Sequence, residues 1–442
     1  MKTQRYIVII IALLLGRVGV GYSQDYSRVS ERSIIGTARY VGMGGAMSAI
    51  GGDPSAALDN PAGLGLYQRW ELLFTFDETL DYTHQVGASD KYLRSLFTCP
   101  QASLVISHPA LTESTTGIQA NNFMFSYHKL TSFNRTLAAS GGPDASLGST
   151  LPALDIPFCT DPSNNGNSLN LWEIGYANEY GFDWAMNIAH KWYVGLGFHI
   201  QNYELNGKAR YEETFDSTNV AGKHYYNENN SSLLYTGVSC NFSVGVIYRP
   251  LQWLRLGIGL QTPTLGAMNI YTNGSFFAQT DSLRVSYPPE MAYRDKGFHM
   301  PLHLSSSVAF QIGAYGLISL QHDYWHSKGF DDIHSLRAGI EVIPVMGMYI
   351  NAGYVYESTF KPATSVVPMD ASFDRQDTYF LHPRQSQYAS CAIGYRGPHM
   401  LVQAAYQYRW QGINLYAHEV AAPYDMHTDT HRIVLTIGWH QY

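Results

Sequence analysis

The sequence is poor in charge, in cysteine and in long apolar runs. Only 14% of its 442 residues are Asp, Glu, Lys or Arg, about half the share of a typical soluble domain. The 28 Lys and Arg are outnumbered by 35 Asp and Glu, which disfavours nucleic acid as a partner. Four cysteines are too few for a disulfide scaffold. No run reaches the roughly 18 apolar residues of a membrane-spanning helix.

The N-terminus carries the pattern of an export signal. Lys2 and Arg5 precede a short apolar run at 6–15, and small residues follow as far as Ser23. Residues 1–23 are therefore predicted to be a signal peptide. The alternative, a membrane anchor, is disfavoured because the apolar run is about ten residues long and a spanning helix needs about 20.

Alternation of apolar with small or polar residues is the main structural signal. Between Trp192 and Gln201, the even positions are apolar, whereas the odd positions are Tyr, Gly, Gly, His and Gln. Such segments of about ten residues are typical of strands that cross a bilayer with lipid on one side. Fourteen segments qualify: 69–78, 101–108, 121–130, 180–190, 192–204, 235–249, 252–263, 301–311, 314–325, 334–343, 346–357, 386–396, 398–410 and 431–441.

The links between these segments alternate in length. Tight turns such as His190-Lys191 alternate with long links such as 131–179 and 205–234, as in bacterial barrels with short periplasmic turns. The sequence predicts an all-β, 14-stranded antiparallel transmembrane β-barrel over residues 69–442, in the outer membrane of a Gram-negative bacterium and in contact with its lipid. Tryptophans at strand ends suit an interfacial girdle: Trp70, Trp192, Trp253, Trp325, Trp410 and Trp439.

Residues 24–68 do not alternate and are rich in Gly, Ala and Ser. Small residues allow close backbone approach, and a barrel of fourteen strands is wide enough to leak. This segment is therefore predicted to be a plug inside the lumen. Cys99 and Cys159 fall in two predicted loops on the same face, and a disulfide between them is one alternative to separate thiols.

This segment contains three short runs at residues 38–46 (ARYVGMGGA), 53–57 (DPSAA) and 60–64 (NPAGL). Together they resemble the N-terminal hatch of the FadL/TodX family of outer-membrane transporters of long-chain fatty acids and other hydrophobic compounds. The resemblance implies passive uptake of hydrophobic molecules such as fatty acids, with release by movement of the hatch. It also implies lateral release through a kink in the third strand, but residues 121–130 contain no Gly or Pro that would favour a kink there.

The resemblance makes Asn60, Pro61 and Ala62, with Gly44 and Gly45, the candidate gating residues. Locally, Pro61 fixes φ and lacks a donor, and Asn60 can close a turn through its side chain. A turn that only anchors the plug is the alternative of equal standing.

Arg409 and Arg432 point inward by alternation on adjacent strands. They could hold a fatty-acid carboxylate, since Arg pairs bidentately with carboxylates. They could equally pair with lumen acids such as Asp323, or anchor the plug.

No catalytic motif is present, and the 17 histidines are scattered. We therefore expect neither an enzyme, nor a cofactor, nor a metal site. His322 and His326 lie on one face of a strand, where interfacial or lumenal histidines are the ordinary interpretation and a metal cluster with His303 or His334 is the alternative.

Two other functions fit the same fold. A barrel that binds other envelope proteins, as a scaffold associated with secretion, would use the long polar links 131–179 and 205–234. An open polar channel would need no plug, and the composition of residues 24–68 argues against it.

Overall fold

The computed structural model describes most of the chain from residue 33 onward. The predicted signal peptide and the first part of the predicted plug lie outside the described residues. No described helix is long and apolar enough to cross a membrane. The described ranges are 33–88, 91–110, 117–141, 165–216, 224–279, 284–298, 300–326, 332–358, 380–417 and 422–440.

Within those ranges, one short helix and two 3₁₀ helices precede seventeen strands. They are α1 (Ala38–Gly42), the 3₁₀ helices Pro54–Leu58 and Pro61–Leu66, β1 (Glu71–Gln85), β2 (Lys91–Pro109), β3 (Ile118–Ser132), β4 (Arg135–Ser140), β5 (Asn165–Ile188), β6 (Trp192–Asp216), β7 (His224–Leu251), β8 (Leu254–Gln261), β9 (Leu265–Gln279), β10 (Arg284–Phe298), β11 (Leu302–Ile312), β12 (Gly316–His326), β13 (Ile333–Val345), β14 (Met348–Glu357), β15 (Phe380–Arg396), β16 (Met400–Tyr416) and β17 (Tyr424–His440).

These strands form a closed antiparallel barrel. Three barrel strands are each interrupted once. β3 and β4 form one of them, since both pair with β5, and β8 and β9 form another, since both pair with β7. β10 and β11 form the third, since β10 pairs with β9 and β11 pairs with β8. The seventeen described strands therefore make fourteen barrel strands. β17 pairs with β1 and closes the ring. The predicted fold class is confirmed.

Every predicted strand segment overlaps a strand, and most of the strands are longer than predicted, although β12 and β14 are not. β5, β6 and β7 contain 24, 25 and 28 residues, and 28 residues at about 3.3 Å each reach about 90 Å. Much of the predicted links 131–179 and 205–234 therefore belongs to strands, and that part of the loop prediction is wrong. We call the end of the barrel with short turns the turn end, and the opposite end the loop end.

The long strands were predicted too short because the alternation of apolar and polar residues inverts along each of them. In the lower part of β6, apolar Leu196 is exposed on the outer face, while His199 and Gln201 are buried on the inner face. Above residue 202, the buried positions become apolar, as at Leu205 and Tyr211. The outer face stops being apolar where it leaves the lipid, but the strand continues.

The inverted pattern builds an apolar interior near the loop end. Buried side chains of β4, β5, β6 and β9 meet buried side chains of β15, β16 and β17 from the other side of the barrel. We call this group the upper apolar cluster. Its members are Leu137, Ala139, Leu169, Leu171, Ala209, Tyr211, Phe276, Ala278, Leu381, Ile413, Leu415, Ala417, Tyr424 and Met426.

Residues 33–67, which we call the N-terminal segment, lie inside the barrel. α1 packs on β14, β15, β16 and β17, whereas the 3₁₀ helix Pro61–Leu66 packs on β3, β5, β6 and β7. These two sets of strands are on opposite sides of the ring. The N-terminal segment therefore crosses the lumen from wall to wall, and most of its side chains are buried.

Several single-residue predictions need correction. Trp325 does not belong to an outer girdle: it is 9% exposed and its ring stacks on His303 inside the barrel, with centroids 4.7 Å apart. His322 and His326 do share the outer face. Cys99 lies in β2 rather than in a loop. Cys159 is outside the described residues, so the disulfide stays a prediction.

Candidate functional site

Side-chain caps and prolines shape the N-terminal segment. The side chains of Asp53 and Asn60 accept hydrogen bonds from the backbone N–H groups of Ser55 (2.9 Å) and Ala62 (3.1 Å). Each cap is followed by a proline at the first position of a 3₁₀ helix, where the missing N–H costs nothing. Burial raises the pKa of the Asp53 carboxyl group, against the opposing effect of nearby Arg39.

The predicted gating residues Asn60, Pro61 and Ala62 lie together against β6 and β7. Asn60 Nδ2 donates to the carbonyl oxygen of Val246 at 3.3 Å. A Cβ atom at Gly245 would lie 1.9 Å from Asn60 Oδ1, and one at Gly195 would lie 2.4 Å from the backbone nitrogen of Ala62. Glycines in the wall therefore make room for this turn, and its part in gating stays a prediction.

Gly44 and Gly45 turn the chain back after α1. Their φ angles are +62° and +72°, a region that favours glycine. A Cβ atom at Gly44 would approach the backbone of Tyr354 on β14 to 3.2 Å, and one at Gly45 would approach Arg337 Nη1 to 3.0 Å. Both glycines thus serve the close docking of the N-terminal segment on the wall.

A buried ionic group links the N-terminal segment to the wall. Arg337 on β13 contacts Asp59 of the segment (Nη1 to Oδ2, 3.1 Å) and Asp323 on β12 (Nε to Oδ2, 2.9 Å). Tyr40 donates to Asp59 at 2.8 Å, and His303 Nε2 lies 3.0 Å from Asp323 Oδ1. We call these five residues the Arg337 cluster. Asp59, His303 and Asp323 have ligand atoms spaced as a metal ion would need, but the guanidinium already supplies a cation to both carboxylates.

A second ionic contact holds α1 nearer the turn end. Arg39 makes a bidentate pair with Glu341 on β13, with Nε and Nη2 at 2.6 and 2.9 Å from the two carboxylate oxygens. Their side chains are 16% and 5% exposed. Sequence reasoning missed both this pair and the Arg337 cluster, although Arg337 and Glu341 are two inward charges on one predicted strand.

The two predicted ligand-binding arginines have different surroundings. Arg432 Nε contacts Asp77 at 2.7 Å, and its Nη1 donates to the carbonyl oxygen of Ile34 at 2.9 Å. It therefore anchors the N-terminal segment, one of the alternatives that the sequence left open. Arg409 donates to Gln411 at 2.6 Å and lies over the ring of Tyr388.

Two adjoining cavities lie between the N-terminal segment and the upper apolar cluster. Cavity 1 has a volume of about 400 Å³ and mixes apolar side chains such as Leu96 and Ile413 with charged ones such as Lys129. Cavity 2, of about 100 Å³, is lined by four members of the Arg337 cluster, all except Asp323. Both cavities are lined by Ser33, Ile35, Lys129, Arg409 and Gln411.

Cavity 1 adjoins a break in the wall between the second and third barrel strands. The β2–β3 ladder ends at the pair Gln101–His128, and residues 91–98 of β2 pair only with β1. Pro100 precedes that last pair and cannot donate a ladder hydrogen bond. The third barrel strand itself is interrupted between β3 and β4. The doubt about a lateral exit concerned residues 121–130, and both of these features lie outside that range, one in the second strand and the other beyond residue 130.

The barrel resembles solved outer-membrane transporters. A FadL homologue from Pseudomonas aeruginosa aligns over 92% of this chain and 99% of its own, with a TM-score of 0.57 and 11% identity. The toluene transporter TodX from Pseudomonas putida aligns over 92% and 99%, with a TM-score of 0.54 and 13% identity. The chain has the FadL/TodX barrel fold.

The toluene transporter TbuX from Ralstonia pickettii aligns over 93% of this chain and 100% of its own, with a TM-score of 0.51 and 13% identity. No protein-family profile and no curated protein sequence matches the chain. The resemblance drawn from residues 38–64 is thus confirmed at the level of the fold.

Proposed function

We propose that this chain is an outer-membrane channel for the passive uptake of hydrophobic molecules, with the N-terminal segment as its plug. The observation that carries the proposal is the inverted alternation above the membrane. An open polar channel would keep polar side chains toward its lumen, whereas the upper apolar cluster gives this lumen an apolar interior at the loop end. A hydrophobic molecule entering there meets apolar surface before it reaches the cavities.

The plug role is supported by the way the N-terminal segment crosses the lumen. It contacts opposite walls and is held by hydrogen bonds and ion pairs, including those of Asn60 and Arg39. Water or a ligand can replace such contacts more easily than a strand ladder. Movement of the segment would then open a path toward the turn end. Asn60, Pro61 and Ala62 would dock the closed segment on β6 and β7.

Long-chain fatty acids are the ligand class that we favour. Cavity 1 is amphipathic, as an acid with a long apolar chain requires, and Arg409 is placed to approach a carboxylate in either cavity. The fold neighbours include proteins described as toluene transporters and a monoaromatic hydrocarbon channel, so neutral aromatic compounds are the comparison to test.

The break between β2 and β3 is our proposed exit. It opens from cavity 1 at the level where the β2–β3 ladder ends. A variant with cysteines at Thr98 and Thr131, both in the lining of cavity 1, can be bridged by a cleavable bifunctional maleimide after the native cysteines are replaced by serine. We expect bridging to stop uptake and cleavage to restore it; unchanged uptake across the bridge would rule out this exit.

The function itself is tested with purified protein in lipid vesicles. We expect saturable uptake of radiolabelled palmitate or toluene without an energy source, and little ion conductance in planar bilayers. Large conductance without uptake of either compound would instead identify an open polar channel.

A further inference from the structure

The Arg337 cluster lies where a ligand and the plug would compete for one cation. Asp59, Tyr40, His303 and Arg337 all line cavity 2. The side chains of Arg337 and Asp59 are each 8% exposed, so their ion pair is largely withdrawn from water. A molecule that enters this cavity therefore touches the same contact that ties the N-terminal segment to β13.

The two carboxylates on Arg337 are not held equally. Asp323 belongs to the wall, contacts His303 and accepts hydrogen bonds from Gln321 Nε2 at 3.0 and 3.1 Å, whereas the same Nε2 reaches Asp59 Oδ2 at the longer distance of 3.3 Å. Asp59 belongs to the N-terminal segment and moves with it. Asp59 is thus the carboxylate on Arg337 that can leave without disturbing the barrel.

We propose that an acidic head group entering cavity 2 replaces Asp59 on Arg337 and thereby releases the plug. This inference rests on the proposed function and adds a trigger to it. The exchange conserves charge, because one carboxylate leaves the guanidinium as another arrives. A carboxylate also matches the planar donor geometry of Arg.

The volumes of the two cavities suit a ligand whose head group lies in one and whose apolar chain lies in the other. At about 100 Å³, cavity 2 has room for a head group but not for a long chain, which adjoining cavity 1 of about 400 Å³ can hold. Lys129 and Arg409 line both cavities and place positive charge along the path of an acid. A neutral molecule can fill the same space but gains nothing from Arg337.

Head-group charge therefore separates a ligand that opens the plug from one that only binds. A ligand shifts a conformational equilibrium only if it interacts differently with the two states. A carboxylate does so, because Arg337 becomes available to it only when Asp59 has left. The methyl ester of the same acid has the same chain and no charge.

The test compares palmitate with methyl palmitate on the full-length protein in phospholipid nanodiscs. Binding is measured by displacement of a fluorescent fatty acid, and plug release by hydrogen exchange of the amides of Asp59, Asn60 and Gly63, which bond within the segment. We expect palmitate to accelerate this exchange at least tenfold and bound methyl palmitate to leave it unchanged. Equal acceleration by both would overturn the inference while leaving hydrophobic uptake intact. Binding of neither compound would count against the proposed function as well.

Variants test whether the ligand carboxylate replaces Asp59 at Arg337. In Asp59→Asn we expect fast exchange of these amides without ligand and no further response to palmitate. Arg337→Lys keeps the charge but loses the planar fork, so the plug should still respond to palmitate, at a concentration at least tenfold higher. The matched control is Glu71→Gln, which changes a buried carboxylate that pairs with Arg396 on the wall and does not line cavity 2. It should keep the difference between acid and ester; if Glu71→Gln abolishes that difference and Asp59→Asn does not, the assignment to Arg337 is wrong.

Discussion

Removing the carboxylate of Glu341 should loosen the N-terminal segment without harming the barrel. In Glu341→Leu, Arg39 loses both of its short contacts, at 2.6 and 2.9 Å, and stays in a site where its side chain is only 16% exposed. Leaving one partner of a buried ion pair uncompensated costs about 3–5 kcal/mol. Because Arg39 lines a cavity of about 470 Å³ at the turn end, where water can reach it, we expect the lower limit.

A cost of about 3 kcal/mol corresponds to roughly a hundredfold larger opening constant, since 1.4 kcal/mol is about a factor of ten. Hydrogen exchange reads this constant directly. The amides of Val41 and Met43 donate to Thr37 and Arg39 within α1, at 2.9 and 3.0 Å, and are protected only while the segment is folded. Their exchange should become about a hundredfold faster, whereas amides in the β6–β7 ladder should not change.

The double variant separates charge from packing. Adding Arg39→Met to Glu341→Leu removes the uncompensated charge, so protection of α1 should return to within about tenfold of the native protein. If the double variant exchanges as fast as Glu341→Leu alone, the loss comes from packing and the electrostatic argument is refuted.

Three further predictions concern the docking of Asn60 on the wall, the pH dependence of docking, and the entry of ligand through the upper apolar cluster. Gly245→Ala places a methyl group where Asn60 Oδ1 now lies; overpacking of this kind costs about 1–3 kcal/mol, and protease cleavage of the segment should become faster. The raised pKa of Asp53 means that the contribution of this carboxyl group to docking is fully present below its ordinary value of 3.8 and is lost as pH rises through the folded-state value; Asp53→Asn should remove that part of the pH dependence in the same protease assay. Leu415→Asp puts a charge in the upper apolar cluster, so palmitate uptake should fall while the barrel still migrates as a folded band on unheated gels.

The sequence predicted the barrel well where lipid imposes the pattern. Outward residues such as Leu196 and Phe242 are apolar because they face lipid, and their inward neighbours are small or polar, so period-two alternation finds each strand. Near the loop end the same strands reverse their pattern, as at Leu205. A search for apolar residues at outward positions only therefore ends the predicted strand too early, and the rest of the strand is taken for a loop.

The candidate site was harder to predict because its contacts join distant parts of the chain. Alternation alone places Arg337, Glu341 and Arg432 inward, but it does not say which carboxylate each one meets. Asp59 lies 278 residues from Arg337 along the chain. Trp325 illustrates the same limit, since a tryptophan near a strand end faces lipid or lumen according to register, and here it stacks on His303.

The wall carries a sequence signal for the docked N-terminal segment that alternation does not reveal. Inward glycines on several strands are positions where a Cβ atom would collide with the N-terminal segment, and an empty lumen would not require them. Where side chains are absent, backbone meets backbone, and apolar contacts such as Met43 with Val355 and Leu64 with Met124 add to the hydrogen bonds and ion pairs of docking. The described part of the segment contributes no strand to the barrel ladders, which favours a unit that opens before the barrel unfolds. These glycines are Gly195, Gly245, Gly257, Gly259, Gly339 and Gly353.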